Sequence, residues 1–211
     1  MAMSGVQKTV LVTVAAIALV LGAVVAKVNR QAPLDREVLS NSGIFLFDSP
    51  RNLPDIELQA ATSDLWTNQD LTGQWDLLFF GYTFCPDICP TTMADLRSVV
   101  ESLTPAAREQ LRVTMVSVDP ERDTPQQLTE YLAYFKAGFK GVTGEPAELA
   151  RLAQALSIAY IPPDTSEENY LVDHSGQVVM INPQGQYVGF IRPPFKIAEL
   201  SLWLPRIMNP Q

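Results

Sequence analysis

The first thirty residues and the remainder of the chain carry different hydrophobic patterns. Thr9 to Ala26 is an uncharged run of eighteen residues in which only Thr9 and Thr13 interrupt the apolar character. A helix of that length spans about 27 Å, short but workable for a hydrocarbon core of about 30 Å when flanking lysines, here Lys8 and Lys27, reach the interface. A cleaved signal peptide would want a small-x-small site after a shorter apolar core, which Ala23-Val24-Val25-Ala26 supplies poorly. A helix buried in a protein core would keep a polar face, and this run has none. Residues 9–26 therefore read as an uncleaved transmembrane signal anchor behind a short tail, residues 1–8.

Beyond the anchor the periods shorten. Residues 27–52 read as a linker that ends in a short extended piece, Gly43-Ile44-Phe45-Leu46-Phe47. Leu53 to Leu58 alternates like an edge strand, with Pro54 at its start where a missing N–H is tolerated. Leu77-Leu78-Phe79-Phe80-Gly81-Tyr82 is continuously apolar, as a central strand covered on both faces should be. Met93, Leu96, Val99, Val100 and Leu103 then recur at helical spacing as far as Pro105. Val113 to Val118 is the next strand. Thr124 and Pro125 read as the N-cap and first position of a helix with Leu128, Tyr131, Leu132 and Phe135 as its stripe, ended by Gly138. A further helix covers Pro146 to Leu156. Strands follow at Leu171-Val172, Val178 to Ile181 and Tyr187 to Ile191, the last two joined by a turn at Pro183-Gln184-Gly185. A helix from Lys196 to Leu204 closes the chain. Alternating strand and helix imply a parallel β-α-β unit, and an antiparallel hairpin with a closing helix follows it. This order predicts an α/β, thioredoxin-like fold with insertions over residues 53–211.

Composition narrows the function classes. Of 211 residues, 47% are hydrophobic and 18% charged, which excludes a disordered, collagen-like or polytopic membrane protein and supports one full-sized domain beside the anchor. Fifteen basic against 23 acidic residues give a net charge of -8; without Lys8, Lys27 and Arg30 the balance is 12 against 23, or -11. Such a domain repels phosphate backbones, so no nucleic-acid partner is expected. Around the anchor, Lys8 on one side faces Lys27, Arg30 and Arg36 on the other, the last interleaved with Asp35 and Glu37. The positive-inside rule is nearly silent on such a small imbalance.

The chain has two cysteines and one histidine. Cys85 and Cys89 lie where the central strand gives way to a helix, the end of an open α/β sheet at which functional sites gather. Their i, i+4 spacing puts both sulfurs on one face of a forming turn, and helix N-terminal amides favour the thiolate. Pro86 and Pro90 stiffen the loop. Three readings stand. One is a structural disulfide or a pair of buried thiols, although closing so small a loop staples little. Another is a catalytic dithiol, which normally has two intervening residues where this motif has three. The third is a metal site: two thiolates select Cu(I), and an imidazole extends the choice to Cu(II). Structural zinc wants four protein ligands, and cysteine plus histidine total three here; the Cys-x-x-Cys-His run of haem attachment is absent. His174 lies in a polar turn, Val172-Asp173-His174-Ser175-Gly176, that a thioredoxin-like order brings against the cysteine loop, with Asp173 available to orient its imidazole.

Three motifs in order carry a family resemblance. Phe80-Gly81-Tyr82-Thr83 with Cys85-Pro86-Asp87-Ile88-Cys89-Pro90-Thr91-Thr92, then Val116-Ser117-Val118-Asp119-Pro120-Glu121-Arg122-Asp123-Thr124-Pro125, then Asp173-His174-Ser175 closely resemble the Sco/SenC family over about residues 53–205. The resemblance implies a membrane-anchored, thioredoxin-like copper protein that helps assemble the dinuclear copper centre of cytochrome c oxidase. It implies one copper, Cu(I) or Cu(II), on Cys85, Cys89 and His174, with the cysteine pair able to form a redox-active disulfide. Implied partners are the copper-bearing oxidase subunit, an upstream copper donor and a thiol reductant. The implied location is the inner membrane, single-pass, with the globular domain in the periplasm. Phe84 stands where family members can carry histidine, and Asn182 where an aspartate is frequent.

Other residues are weighed beside these. Asp119, at the end of the strand after the cysteine helix, is expected near the site as a supporting or docking carboxylate, against a plain turn residue before Pro120. Asp87 reads as a solvated acid or helix cap, and Met93 as core packing. The expected function is that of a metallochaperone and not an enzyme. Its rival is a thiol–disulfide oxidoreductase that reduces the oxidase subunit's cysteines or serves redox defence, and a copper-sensing regulator would use the same site.

Overall fold

The computed structural model describes residues 5–29, 34–162, 165 and 170–209 and divides into two compact units, one up to Asp35 and one over Arg36–Pro210. Residues 1–4 of the expected tail and 30–33 of the expected linker lie outside the described residues. The first unit is helix α1, Gly5–Asn29. Its Gly5–Gly22 stretch has a mean hydropathy of 1.8, and among the described residues α1 is the one helix long and apolar enough to cross a membrane. Its threonine hydroxyls are satisfied within the helix: Thr9 Oγ1 donates to the Gly5 carbonyl at 3.1 Å and Thr13 Oγ1 to that of Thr9 at 2.9 Å.

The second unit opens with α2 (Arg36–Asn41), β1 (Ile44–Asn52), β2 (Glu57–Ala60), β3 (Leu65–Thr67), a 3-10 turn (Asn68–Leu71) and β4 (Trp75–Gly81). It continues with α3 (Ile88–Ser102), α4 (Pro105–Glu109), β5 (Leu111–Ser117), α5 (Pro125–Ala133), β6 (Lys140–Thr143) and α6 (Pro146–Ala155). The last elements are β7 (Tyr160–Ile161), β8 (Asp173–His174), β9 (Val178–Ile181), β10 (Gln186–Ile191) and α7 (Ile197–Met208). One mixed sheet runs in the order β1-β10-β9-β4-β5-β6-β2-β3, and β7 pairs with β8 apart from it. In the large sheet, β4-β5 and β5-β6 are parallel and the other pairs antiparallel. The expected β-α-β unit is β4-α3-β5, and the expected hairpin and closing helix are β9-β10-α7. Between them stand the insertions, α5 through β8.

Local chemistry explains most of these elements. β4 is buried from Asp76 to Gly81 because it lies mid-sheet with both faces covered. The α3 stripe Met93, Leu96, Val99 and Val100 is buried. Thr124 caps α5, its hydroxyl accepting from the Gln127 N–H at 3.2 Å, with Pro125 at the first helical position. The β9-β10 turn is shaped by Asn182, whose Oδ1 accepts from the N–H groups of Gln184 and Gln186 at 3.1 and 2.9 Å, and by Gly185 at φ +74°.

Four expectations need correction. The short extended piece expected at residues 43–47 is part of a longer strand: residues 48–52, read as linker, continue it as β1 on the sheet edge, from Ile44 opposite Ile191 to Asn52 opposite Gln186; residues 48–52 are exposed, so no apolar alternation marks them. The strand expected over Leu53–Leu58 begins only at Glu57, because Asn68 holds the preceding segment. Its Oδ1 accepts from the Ile56 N–H at 2.7 Å and its Nδ2 donates to the Pro54 carbonyl at 2.9 Å. The strand expected at Leu171-Val172 is displaced to Asp173–His174 and pairs with Tyr160–Ile161. Helix α5 stops at Ala133 and not near Gly138, since Lys136 and Gly138 both take left-handed φ values, +53° and +67°.

Candidate metal centre

Central strand β4 delivers the cysteine loop. Its last residue is Gly81, where an added Cβ would lie 2.6 Å from the Phe79 ring and 3.1 Å from Cys89 Sγ; the missing side chain is the space the sulfur occupies. Cys85 lies in the loop before α3, its N–H donating to the Tyr82 carbonyl at 3.2 Å. Cys89, in the first turn of α3, directs its N–H at Cys85 Sγ, 3.4 Å away. Both thiols are free; Cys85 is half-buried and Cys89 has no exposure. His174 arrives on β8, opposite Tyr160, with Nε2 at 3.6 Å from Cys89 Sγ. The donor atoms of Cys85, Cys89 and His174 lie within 4.8 Å of one another, and among the described residues they are the one cluster of this kind. A single ion with bonds of roughly 2.0–2.3 Å could touch all three after small rotamer adjustments.

The imidazole is oriented for that task. Nδ1 lies 3.1 Å from the Ser175 carbonyl, which can only accept, so Nδ1 carries the proton and Nε2 keeps its lone pair toward the sulfurs. Burial lowers the His174 pKa and keeps the ring neutral, which offsets the raising effects of the Ser175 carbonyl and Asp173. The ring stands edge-on to Phe79 and Tyr82, with centroids 6.1 and 6.0 Å away. Burial also pushes the Cys89 thiol up, reinforced by Cys85 beside it. The helix N-terminus was expected to ease ionisation there; in this packing desolvation outweighs it. A thiol that resists ionisation in water is still deprotonated by a bound soft cation.

A profile of the SCO1/SenC family matches residues 27–208. The chain belongs to the SCO1/SenC family. A Stutzerimonas stutzeri protein, provisionally named for copper binding, is 40% identical over 177 residues, 83% of this chain and 87% of that one. The mitochondrial SCO1 homolog 1 of Arabidopsis thaliana is 36% identical over 124 residues, 59% of this chain but 37% of the longer plant protein. Bradyrhizobium japonicum ScoI, solved with copper bound, matches at a TM-score of 0.66 and 28% identity, covering 74% of this chain and 98% of that chain. The fold of this SCO1/SenC member is thioredoxin-like with insertions.

Around the cluster of Cys85, Cys89 and His174 the residues expected to support it divide. Asp173 is exposed, and the Ser175 carbonyl, not Asp173, holds Nδ1. Asp119 has no exposure and accepts from Arg122 Nε at 2.5 Å and Tyr170 Oη at 2.6 Å; it cannot meet a partner directly. Asp87 is exposed and makes no side-chain cap, and Met93 packs in the core. Two residues that the motifs contain but that have no expected role of their own also support the site. The Tyr82 hydroxyl accepts from the Val172 N–H at 3.3 Å, beside the histidine strand. Asp123 is buried and accepts from the Thr83 N–H at 3.0 Å, Thr83 Oγ1 at 2.6 Å and Ser117 Oγ at 2.6 Å. Burial raises its pKa against those hydrogen bonds. The apolar run of the central strand marks Tyr82 as buried, whereas no local pattern marks Asp123 as buried.

Asp123→Ala would leave the Ser117 hydroxyl and Thr83 N–H without their buried acceptor, a loss of about 1–3 kcal/mol. Thermal unfolding of the full chain in detergent should register it as a fall of about 2–4 °C per kcal/mol. An unchanged Tm would mean that water replaces the carboxylate at no cost.

Proposed function

We propose that this protein is a membrane-anchored copper chaperone that carries one copper ion, Cu(I) or Cu(II), on Cys85, Cys89 and His174 and delivers it to the dinuclear copper centre of cytochrome c oxidase. The observation that carries the reading is the convergence of two thiols and a neutral imidazole within 4.8 Å in a chain whose relative ScoI was solved with copper bound. Two sulfurs and one nitrogen suit copper in either state. Three donors leave a coordination position open, so a cysteine or histidine of the target can bind the ion before a chaperone donor leaves. Exchange with a partner disulfide, which accepts the two electrons and leaves as a dithiol, would convert Cys85 and Cys89 to a disulfide, remove two donors and release the ion, which couples metal state to redox state. The partners in this reading are therefore an upstream copper donor, a thiol reductant and the copper-bearing oxidase subunit, with exposed Asp173 as a docking carboxylate beside His174. Helix α1 is the single inner-membrane span and the globular unit faces the periplasm; the apolar length of α1 and the family support this.

One observation favours the rival thiol–disulfide oxidoreductase: both cysteines are unbridged and adjacent. The buried, hard-to-ionise Cys89 and the His174 contact weigh against it. The test is copper stoichiometry and optical spectra on the full-length reduced protein in detergent. One Cu(II) per chain is expected, with a thiolate-to-copper charge-transfer band that Cys85→Ala, Cys89→Ala and His174→Ala each remove. Copper binding indifferent to His174, together with dithiol reductase activity that survives His174→Ala, would replace the chaperone by the oxidoreductase.

A further inference from the structure

Arg122 lies on the turn after β5, a turn closed by the Arg122 and Asp123 N–H groups donating to the Asp119 carbonyl at 3.2 and 2.9 Å. Its side chain is 18% exposed and its Nε is paired to the fully buried Asp119 at 2.5 Å. Three aromatic rings surround the guanidinium, whose Cζ is 3.6 Å from the Tyr170 centroid, 5.0 Å from Phe84 and 5.7 Å from Tyr82. Phe84 immediately precedes Cys85, Tyr82 begins the cysteine loop, and Tyr170 lies four residues before His174. Tyr170 is held at two points, since Arg122 Nη2 donates to its carbonyl at 3.1 Å while its hydroxyl donates to Asp119 at 2.6 Å. One cation thus touches residues from both segments that bear the donors, and the buried carboxylate beneath it is shared with one of them.

We propose that Arg122 is a positioning residue that ties the cysteine loop to the histidine strand, with Asp119 as its anchor and Tyr170 as the grip on the His174 segment. The proposal rests on the copper reading of the preceding subsection. The triad spans two segments that sequence separates by 85 residues, and β8 is only two residues long, too short for strand pairing alone to hold its register. A planar, delocalised cation can stack on Tyr170, donate to its carbonyl and pair with Asp119 at once. A lysine ammonium has neither the plane nor the fork to do all three.

The test uses the full-length protein in detergent with Arg122→Lys, which keeps the charge and removes the plane, and Tyr170→Phe, which keeps the ring and removes one hydroxyl. In Arg122→Lys one copper per chain should still load, with affinity in chelator competition lowered roughly 10–100-fold and the charge-transfer band shifted. Tyr170→Phe should move both readouts in the same direction by less, and it remains informative if the lysine variant folds poorly. In the metal-free protein, amide hydrogen exchange in Arg122→Lys should quicken at both residues 82–85 and 170–175. Wild-type affinity and an unshifted band in both variants overturn the proposal, as does exchange that quickens at one segment alone. Copper binding by the wild-type chain that ignores His174 would instead defeat the chaperone reading; the exchange measurement then decides the tie, with two quickened segments sustaining it and unchanged exchange overturning it.

Discussion

Gly81→Ala should cost the protein both stability and its metal. The added methyl would sit 2.6 Å from a carbon of the Phe79 ring and 3.1 Å from Cys89 Sγ, distances at which something must move. Phe79 and Cys89 are fully buried, and Phe79 already stands edge-on to His174. Relief therefore displaces two of the three donors, the sulfur directly and the imidazole through the ring that backs it. Overpacking of this kind costs about 1–3 kcal/mol, and outer contacts of a metal site are worth roughly 10–100-fold in affinity. Thermal unfolding and copper titration on the same preparation measure the two losses. Wild-type values in both would mean that the loop yields and that Gly81 is not required by the sulfur.

Arg112→Met should be the most destabilising change distant from the cysteines, and its cost should depend on pH. Asp76 on β4 has no exposure and faces Arg112 across the parallel β4-β5 register. It accepts from Arg112 Nε at 2.7 Å and Thr114 Oγ1 at 2.9 Å, with a second, shorter contact from Arg112 Nη2. Removing the arginine leaves a carboxylate buried without its counter-charge, a loss of about 3–5 kcal/mol at neutral pH. Burial already holds Asp76 above its usual pKa of 3.8 even with Arg112 lowering it, and without Arg112 it climbs further. An acid whose pKa is higher folded than unfolded penalises folding fully above the folded value and not at all below the unfolded one. The deficit of Arg112→Met relative to wild type should therefore be largest near pH 7 and shrink as pH falls toward about 4. Urea unfolding at pH 7 and pH 5 measures it; a deficit that is constant or grows on acidification would show that the lost arginine acted through packing.

The chemistry of this site was legible because the chain is poor in the residues that carry it. With one histidine and two cysteines, three readings of the pair stand, and whether His174 reaches it separates the metal site from the others; the order of strands and helices is enough to expect that it does. The strands and helices written in side-chain period were equally plain, from the apolar run of β4 to the stripe of α3. What escaped was whatever depends on a partner distant in sequence. Asp76 sits beside an apolar run and gives no sign that Arg112, thirty-six residues later, will neutralise it. Asp119 reads as a supporting or docking carboxylate or as a turn residue, and nothing near it in sequence names Tyr170, fifty-one residues later, as the group that helps bury it. The second half of β1 is hidden because it is polar and exposed, and β8 because two residues are too few for any period. The helix-terminus argument for easily ionised thiols failed at Cys89 because local geometry could not foresee the depth at which Phe79 and Gly81 seat that sulfur.

In the proposed hand-over, the unequal depth of Cys85, Cys89 and His174 would set the order of events. A group approaching from solvent meets half-buried Cys85 and His174 before it can approach Cys89, which no solvent reaches. Cargo held by this triad would leave by a fixed itinerary: the outer sulfur and the imidazole exchange first, and the inner sulfur keeps its bond until the recipient has supplied the others. Cys89 would then act as the pivot on which the ion turns from one protein to the next. The hidden position of that one atom would give the transfer a direction before any partner arrives.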